Sequence, residues 1–78
     1  MTLERSYTVY LLPEPEGGYT VRVPALPEVV TYGISEDDAL QMAREAIEAV
    51  LEVRREEGDD IPFDCVPLVR SLTIPIAA

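Results

Sequence analysis

The feature that most constrains how this chain folds is one long segment with the spacing of an amphipathic helix. Much shorter strand-like segments precede it. Apolar residues recur every three or four positions through the middle of the chain, as on one side of an α-helix. Ser35 is placed as the N-cap, Asp38 as its partner in a capping box, and Gly58 as the residue that ends the helix. The sequence therefore predicts one helix over about residues 36–57. The side predicted to cover a sheet consists of Ala39, Leu40, Ala43, Ala46, Ile47, Val50 and Leu51.

Three short strands are predicted before the helix. Residues 6–12 and 19–23 are rich in β-branched and aromatic residues, and the second segment alternates apolar with polar positions. Two glycines between these segments predict a turn, and the prolines within 24–27 predict an extended exit from the second strand. Residues 28–32 form the third predicted strand, which Gly33 is expected to end.

A fourth strand is predicted after the helix, over residues 70–76, where apolar residues alternate with polar ones. Pro75 lacks an N–H group, so this strand is expected either to lie at a sheet edge or to finish by Thr73 or Ile74. A right-handed crossover through the helix would place it parallel to the first strand. The predicted fold class is α+β, a two-layer β-β-β-α-β domain with mixed sheet order 3-2-1-4 and the helix on one face.

Alternation along the first two strands divides their side chains between the two faces of the predicted sheet. One set is expected to pack beneath the helix: Tyr7, Val9, Leu11, Tyr19, Val21 and Val23. The opposite set is the candidate partner-binding face: Tyr10, Leu12, Thr20 and Arg22. Tyrosine and arginine are enriched in protein interfaces, so this composition is typical of a binding surface. A water-exposed sheet face in a two-layer domain is the alternative.

The predicted helix is apolar over a wider arc than packing on one sheet requires. Met42, Ala49 and Val53 extend its apolar side, which then covers roughly 200° of a helical wheel. This surplus predicts self-association of the chain through the helix face, as a dimer or a larger assembly. The alternative is that these three residues have no partner.

The charge of the chain favours a basic protein as its partner. There are 15 acidic residues against 6 arginines, with no lysine and no histidine, and the formal net charge is −9. Such a surface repels phosphate backbones, so direct binding of nucleic acid is not expected. Solubility alone is the alternative explanation of the charge.

The residues that usually carry catalysis are missing, and we expect no enzyme activity, no cofactor and no metal. Histidine and lysine, the usual general bases and amine nucleophiles, do not occur. One acidic cluster lacks the spacing of a calcium loop and is interpreted as a solvated helix end: Glu56, Glu57, Asp59, Asp60 and Asp64.

Cysteine content and hydropathy indicate the compartment. Cys65 is the one cysteine, which excludes an intramolecular disulfide and fits a reducing environment. No apolar run reaches the roughly 20 residues of a membrane span, and no signal peptide is recognisable at the N-terminus. The expected location is the cytoplasm.

Two motifs in a fixed order resemble the HicB family, the antitoxins of HicA–HicB toxin–antitoxin systems and their short stand-alone relatives. The first is EGGYTVRVPALP at residues 16–27, followed by Thr31 and Gly33, which is similar to the family pattern GGYxVxxPxLPGCxTxG. The second is EDDALQMAREAI at residues 36–47, which is similar to the helix pattern EEALxxAxEAI. The likeness covers roughly residues 6–62, and the order and spacing of the motifs carry it.

The resemblance implies a fold like a truncated ribonuclease H domain and a function as an antitoxin. The implied partner is a small, basic, RNA-degrading toxin of the HicA kind, and self-association is implied as well. Full-length HicB antitoxins add a C-terminal DNA-binding domain, whereas residues 1–78 are expected to form a single HicB-like domain without it and without operator binding. Glu28 and Val29 replace the Gly-Cys that the family often has. The alternative function is a stand-alone homo-oligomeric structural or regulatory domain with no toxin partner.

Overall fold

The computed structural model describes residues 4–77, which form three short strands followed by one long helix. The elements are β1 (Tyr10–Pro13), β2 (Tyr19–Arg22), β3 (Val30–Gly33) and α1 (Glu36–Glu56). Strand β2 lies between β1 and β3 and pairs with both in antiparallel orientation. Helix α1 packs across one face of this sheet, so the predicted α+β class is confirmed.

The predicted fourth strand is not formed, because residues 59–77 contain no strand. The sheet has the order β1-β2-β3, which agrees with the 3-2-1 part of the predicted order 3-2-1-4, whereas the fourth position is not confirmed among the described residues. Asp64 is held beside Thr8, but the residues that follow it do not pair with β1, and residues 65–77 are exposed. The likeness to a truncated ribonuclease H domain stays a prediction.

A tight hairpin joins β1 to β2. The N–H of Glu14 donates to the carbonyl of Gly18, and the N–H of Gly17 donates to the carbonyl of Glu14, both at 3.0 Å. Gly17 has φ +102°, which favours glycine and produces the bulge of a three-residue loop. Strand β1 begins at Tyr10, later than predicted, and extends to Pro13, which lies opposite Tyr19.

The core consists of two adjoining clusters between the sheet and α1. In the first, Val21, Ala39 and Ala43 are buried, and Val9, Leu11 and Tyr19 pack against them. In the second, Val23, Leu26 and Val29 are buried against Tyr7, Val9 and the apolar side of the helix. All six side chains predicted to lie beneath the helix therefore contact the core.

Leu26 and Val29 are core residues that the strand pattern did not predict. They lie in the loop between β2 and β3, where two successive turns place them. The N–H of Leu26 donates to the carbonyl of Val23, and the N–H of Val29 donates to the carbonyl of Leu26, both at 2.9 Å. Pro24 and Pro27 are the second residues of these two turns, so the extended exit predicted from the prolines is wrong. Leu26, which lies between the two prolines, is fully buried.

The helix begins and ends close to the predicted positions. The hydroxyl of Ser35 accepts from the N–H of Asp38 at 3.1 Å, while the Asp38 carboxylate accepts from the N–H of Ile34 at 2.9 Å. Gly58 has φ +74°, and its N–H donates to the carbonyl of Arg55, which closes the last turn. No helix among residues 4–77 combines the length and the apolar character needed to cross a membrane.

Gly33 sets how closely the helix approaches the sheet. It is the last residue of β3, where the sequence predicted a break, and it is buried against the first turn of α1. A Cβ atom at this position would overlap the backbone of Ala39 and lie 2.7 Å from the Ala39 Cβ. Ala39 and Ala43 are the helix residues buried against the sheet here, and Leu40, about 100° further around the helix from Ala39, is 47% exposed. Its predicted place in the sheet-facing side is therefore wrong.

Candidate protein-binding site

The side chains on the sheet face opposite α1 form a surface that we call the outer sheet face. Its residues share a face because side chains alternate along each strand and align across paired strands. The register places Tyr10 opposite Arg22 and Arg22 opposite Val30. It likewise places Leu12 opposite Thr20 and Thr20 opposite Tyr32. The outer sheet face thus consists of Tyr10, Leu12, Thr20, Arg22, Val30 and Tyr32.

The outer sheet face exposes large apolar and aromatic side chains to solvent. The exposed fractions are 39% for Tyr10, 45% for Leu12, 60% for Val30 and 47% for Tyr32. Arg22 is also exposed, and Thr20 is half-buried in the centre. Contiguous exposed apolar side chains with a polar surround are typical of a protein-interaction surface. The arrangement therefore offers contacts to another macromolecule rather than an enclosed site for chemistry.

The sequence predicted four of these six residues and missed two. Tyr10, Leu12, Thr20 and Arg22 point away from the helix, as expected from the alternation in the first two strands. Val30 and Tyr32 belong to β3, whose alternation was not assigned to faces. Period-two alternation in this strand also assigns both residues to the outer face, because Val30 and Tyr32 alternate with the buried Val29 and the half-buried Thr31.

An acidic edge borders the outer sheet face at the β1–β2 hairpin. The Tyr32 hydroxyl donates to the carbonyl of Gly17 at 2.9 Å, and the Thr20 hydroxyl donates to the Glu14 carboxylate. A shallow groove lies here, lined by Glu14, Pro15, Glu16, Gly17, Thr20 and Tyr32. The first hydrogen bond holds Tyr32 in place and the second holds the Glu14 carboxylate, while Glu16 lines the same groove. Carboxylates at this edge suit a basic partner.

The predicted self-association face of the helix is only partly continuous. Ala49 and Val53 are exposed and line a shallow groove, whereas Met42 is half-buried and lies outside that groove. Arg54 and Glu28 also line this groove, and Arg54 makes a bidentate contact with Glu28, with Nε and Nη2 each 3.0 Å from a carboxylate oxygen. The Glu28 backbone N–H, followed by Arg54, lowers the pKa of the Glu28 carboxyl.

The segment after the helix is attached to the segment before β1. The Tyr7 hydroxyl donates to the carbonyl of Pro62 at 2.6 Å, and the Arg5 guanidinium lies 4.3 Å from the centre of the Phe63 ring. The Asp64 carboxylate accepts from the backbone N–H and the hydroxyl of Thr8, both at 2.7 Å. These hydrogen bonds lower the pKa of the Asp64 carboxyl, with the Thr8 N–H as the largest cause.

The contact between Asp64 and Thr8 is expected to be sensitive to acid. Because the folded-state pKa is lowered, its stabilising contribution is present in full above the ordinary aspartate pKa of about 3.9 and is lost as pH falls through the folded value. An NMR titration that follows the Thr8 amide should show its transition below that ordinary value. Asp64→Asn should abolish the transition, and a wild-type midpoint at or above the ordinary value would contradict the assignment.

Within residues 4–77, no group of three or more acidic, cysteine or histidine side chains is arranged to hold a metal ion. Cys65 is exposed.

Comparison with known proteins found no matching protein-family model. The chain is 41% identical to Antitoxin HicB 1 of Photorhabdus laumondii over 57 residues, covering 73% of this chain and 37% of that protein. It is 36% identical to Antitoxin HicB of Escherichia coli K12 over 57 residues, covering 41% of that protein. It is 40% identical to a UPF0150 protein of Thermoplasma acidophilum over 58 residues, covering 84% of that protein. The chain therefore spans less than half the length of these two antitoxins and most of the length of the third protein.

Proposed function

This chain belongs to the HicB-like family, and from that premise we propose that it is an antitoxin domain that binds and neutralises a small, basic, RNA-degrading toxin of the HicA kind. The names of two relatives support a role in a toxin–antitoxin pair. The observation that carries the proposal is the outer sheet face, where exposed aromatic and apolar side chains lie beside an acidic edge.

The side chains of the outer sheet face are of the kinds that usually bind another protein. Tyr10 and Tyr32 offer large, amphipathic contact areas with few rotatable bonds, and Arg22 adds a fixed fork of hydrogen-bond donors. Interface energy usually concentrates in a few aromatic and arginine side chains near the centre of the contact. We assign Tyr10, Leu12 and Tyr32 as the apolar centre of toxin binding.

Charge supplies the complementary part of the interaction. A toxin that cuts RNA must present basic residues to the phosphate backbone, since most contacts to nucleic acid are electrostatic. A chain with net charge −9 attracts such a surface and competes with RNA for it. Neutralisation then follows from occupation of the toxin's RNA-binding surface, with no chemical step by the antitoxin.

A charge placed on the outer sheet face should abolish neutralisation. Leu12→Arg introduces a cation where a basic partner is expected to pack, and we expect the dissociation constant for a HicA-type toxin to rise by at least about tenfold. In cells that co-express the toxin, growth rescue by this variant should be lost. The measurements are toxin binding by calorimetry and growth under co-expression.

Val53→Arg is the matched control for Leu12→Arg. Val53 is also an exposed apolar residue, at 51% against 45%, and the substitution changes net charge equally, but it lies on the helix. This control should bind and neutralise the toxin like the wild type. Equal loss in both variants would contradict the sheet face as the site, and absence of binding by the wild-type chain would overturn the antitoxin proposal itself.

A further inference from the structure

The C-terminal tail, defined as residues 65–77, exposes an unusual amount of apolar surface. Of the 14 large hydrophobic side chains that are exposed among residues 4–77, six lie in this tail: Val66, Leu68, Val69, Leu72, Ile74 and Ile76. The chain measures 59 × 25 × 19 Å, and its radius of gyration is 15.7 Å. A compact chain of this length has a radius of about 11.5 Å. The tail therefore extends from the domain without a partner in the same chain.

The anchor at Asp64 prevents the end of the tail from covering its own sheet. Asp64 lies beside Thr8, and the contacts of Ile61 and Pro62 with Arg5 show that the two segments run in the same direction. In that direction residues 66–69 would be level with the four residues of β1, which ends at Pro13, although the structure shows no pairing between them. Leu72, Ile74 and Ile76 would lie beyond the sheet.

The sequence of the tail favours strand pairing along one of its two edges. Backbone N–H and C=O groups of successive residues in a strand point to opposite edges, so odd and even positions serve different neighbours. Pro67 and Pro75 are both odd-numbered and remove donors from one edge. The even edge, which includes Arg70, Leu72 and Ile74, retains every donor. A strand of this kind joins one sheet edge and does not continue into a filament.

Strand β1 provides a matching unpaired edge. It has β2 on one side and no strand on the other among the described residues. Glu14 donates to Gly18 across the hairpin, so by alternation the backbone groups of Leu11 point to the open side. Val9 and Leu11, whose side chains face the helix, are only half-buried at this border of the core.

Charge makes a second copy of the chain a suitable host for the tail. All 15 acidic residues lie at or before Asp64, and Arg70 is the one charged side chain after it. The tail is thus apolar and weakly basic, while the rest of the chain is strongly acidic. A tail without carboxylates can therefore approach the acidic body of another copy without the charge repulsion that the rest of the chain would meet.

We propose that residues 70–76 of one copy add as a strand to the open edge of β1 in a second copy, and that two chains exchange tails reciprocally. Leu72, Ile74 and Ile76 then cover Val9 and Leu11 of the other copy, and the fourth strand of the sheet is supplied in trans. This inference goes beyond the antitoxin function and does not depend on it. It places self-association on the tail and the β1 edge instead of on the helix face predicted from the sequence.

Proline substitutions on neighbouring residues of the tail test the exchange. Leu72→Pro removes a donor from the pairing edge, whereas Ser71→Pro removes one from the edge that the native prolines already interrupt. Sedimentation analysis over a concentration series should show a dimer for the wild type and for Ser71→Pro. The dimer dissociation constant of Leu72→Pro should rise by at least about tenfold.

Two further variants distinguish dimerisation through the tail from dimerisation through the helix face and from loss of folding. Ile74→Asp should dissociate the dimer without a backbone change, and Val53→Arg should leave it intact. Circular dichroism should show the same helix content in all four variants, since the tail side chains are exposed and belong to neither core cluster, and Val53 is exposed on α1. A wild-type chain that is monomeric at every concentration, or a dimer that survives both Leu72→Pro and Ile74→Asp, would overturn the exchange. Dissociation by Val53→Arg alone would restore the helix face.

Discussion

Replacing Leu26 with alanine is expected to lower the free energy of unfolding by about 3 kcal/mol. Leu26 is fully buried, and its side chain fills the space between Val23, Val29 and the helix. Removing it forfeits the transfer free energy of the side chain and leaves a cavity that a short loop held by two turns cannot easily close. A chain of this size has a total stability of only roughly 5–10 kcal/mol, so the loss is a large fraction of it.

Leu12→Ala is the matched control for the Leu26 substitution. It removes the same atoms from a side chain that is 45% exposed on the outer sheet face. We expect it to cost less than about 1 kcal/mol, because most of that side chain is already in water or at the surface. Urea unfolding followed by circular dichroism measures both values. Equal effects of the two substitutions would show that the loop between β2 and β3 does not contribute to the core.

Replacing Gly33 with alanine should cost about 2–3 kcal/mol, which is the second large effect we expect. The added Cβ would overlap the backbone of Ala39, and the first turn of α1 cannot move aside as a flexible side chain could. The helix must shift away from β3, which loosens the contacts of Ala39 and Ala43 with Val21. Thermal unfolding should therefore show a clear fall in Tm.

Gly58→Ala separates crowding from backbone strain. Gly58 has φ +74° at the end of the helix, and a Cβ atom there would meet nothing within 4 Å. We expect its cost to be about 1 kcal/mol, from the left-handed conformation alone. If Gly33→Ala proved as mild as Gly58→Ala, the close approach of α1 to β3 would be refuted.

Features that depend on neighbouring residues were predictable from the sequence. Ser35 and Gly58 mark the helix because the N-cap hydroxyl and the left-handed C-terminal residue act within a single turn. Period-two alternation likewise predicted correctly which side chains of β2 face the helix, because alternation is set by the backbone of the strand itself. The four predicted residues of the outer sheet face follow from that alternation alone.

Features that depend on contacts between distant segments were not predictable in this way. The burial of Leu26 results from a turn that directs an apolar loop residue towards the helix, and neither strand nor helix periodicity describes it. Leu40 follows the helical spacing and is nevertheless exposed, because Ala39 and Ala43 are the residues buried against the sheet. The contact of Asp64 with Thr8 joins residues 56 positions apart, and the alternation over residues 70–76 does not show that this segment is left unpaired in the chain.

The measurement that tests the central claim most directly is an NMR titration of the isotope-labelled chain with a HicA-type toxin from the same genome. If the outer sheet face binds the toxin, the largest changes in amide shift should occur at Tyr10, Leu12, Thr20 and Tyr32, with little change along α1. Saturating toxin that leaves the strand amides unchanged, or changes confined to the helix, would contradict the account.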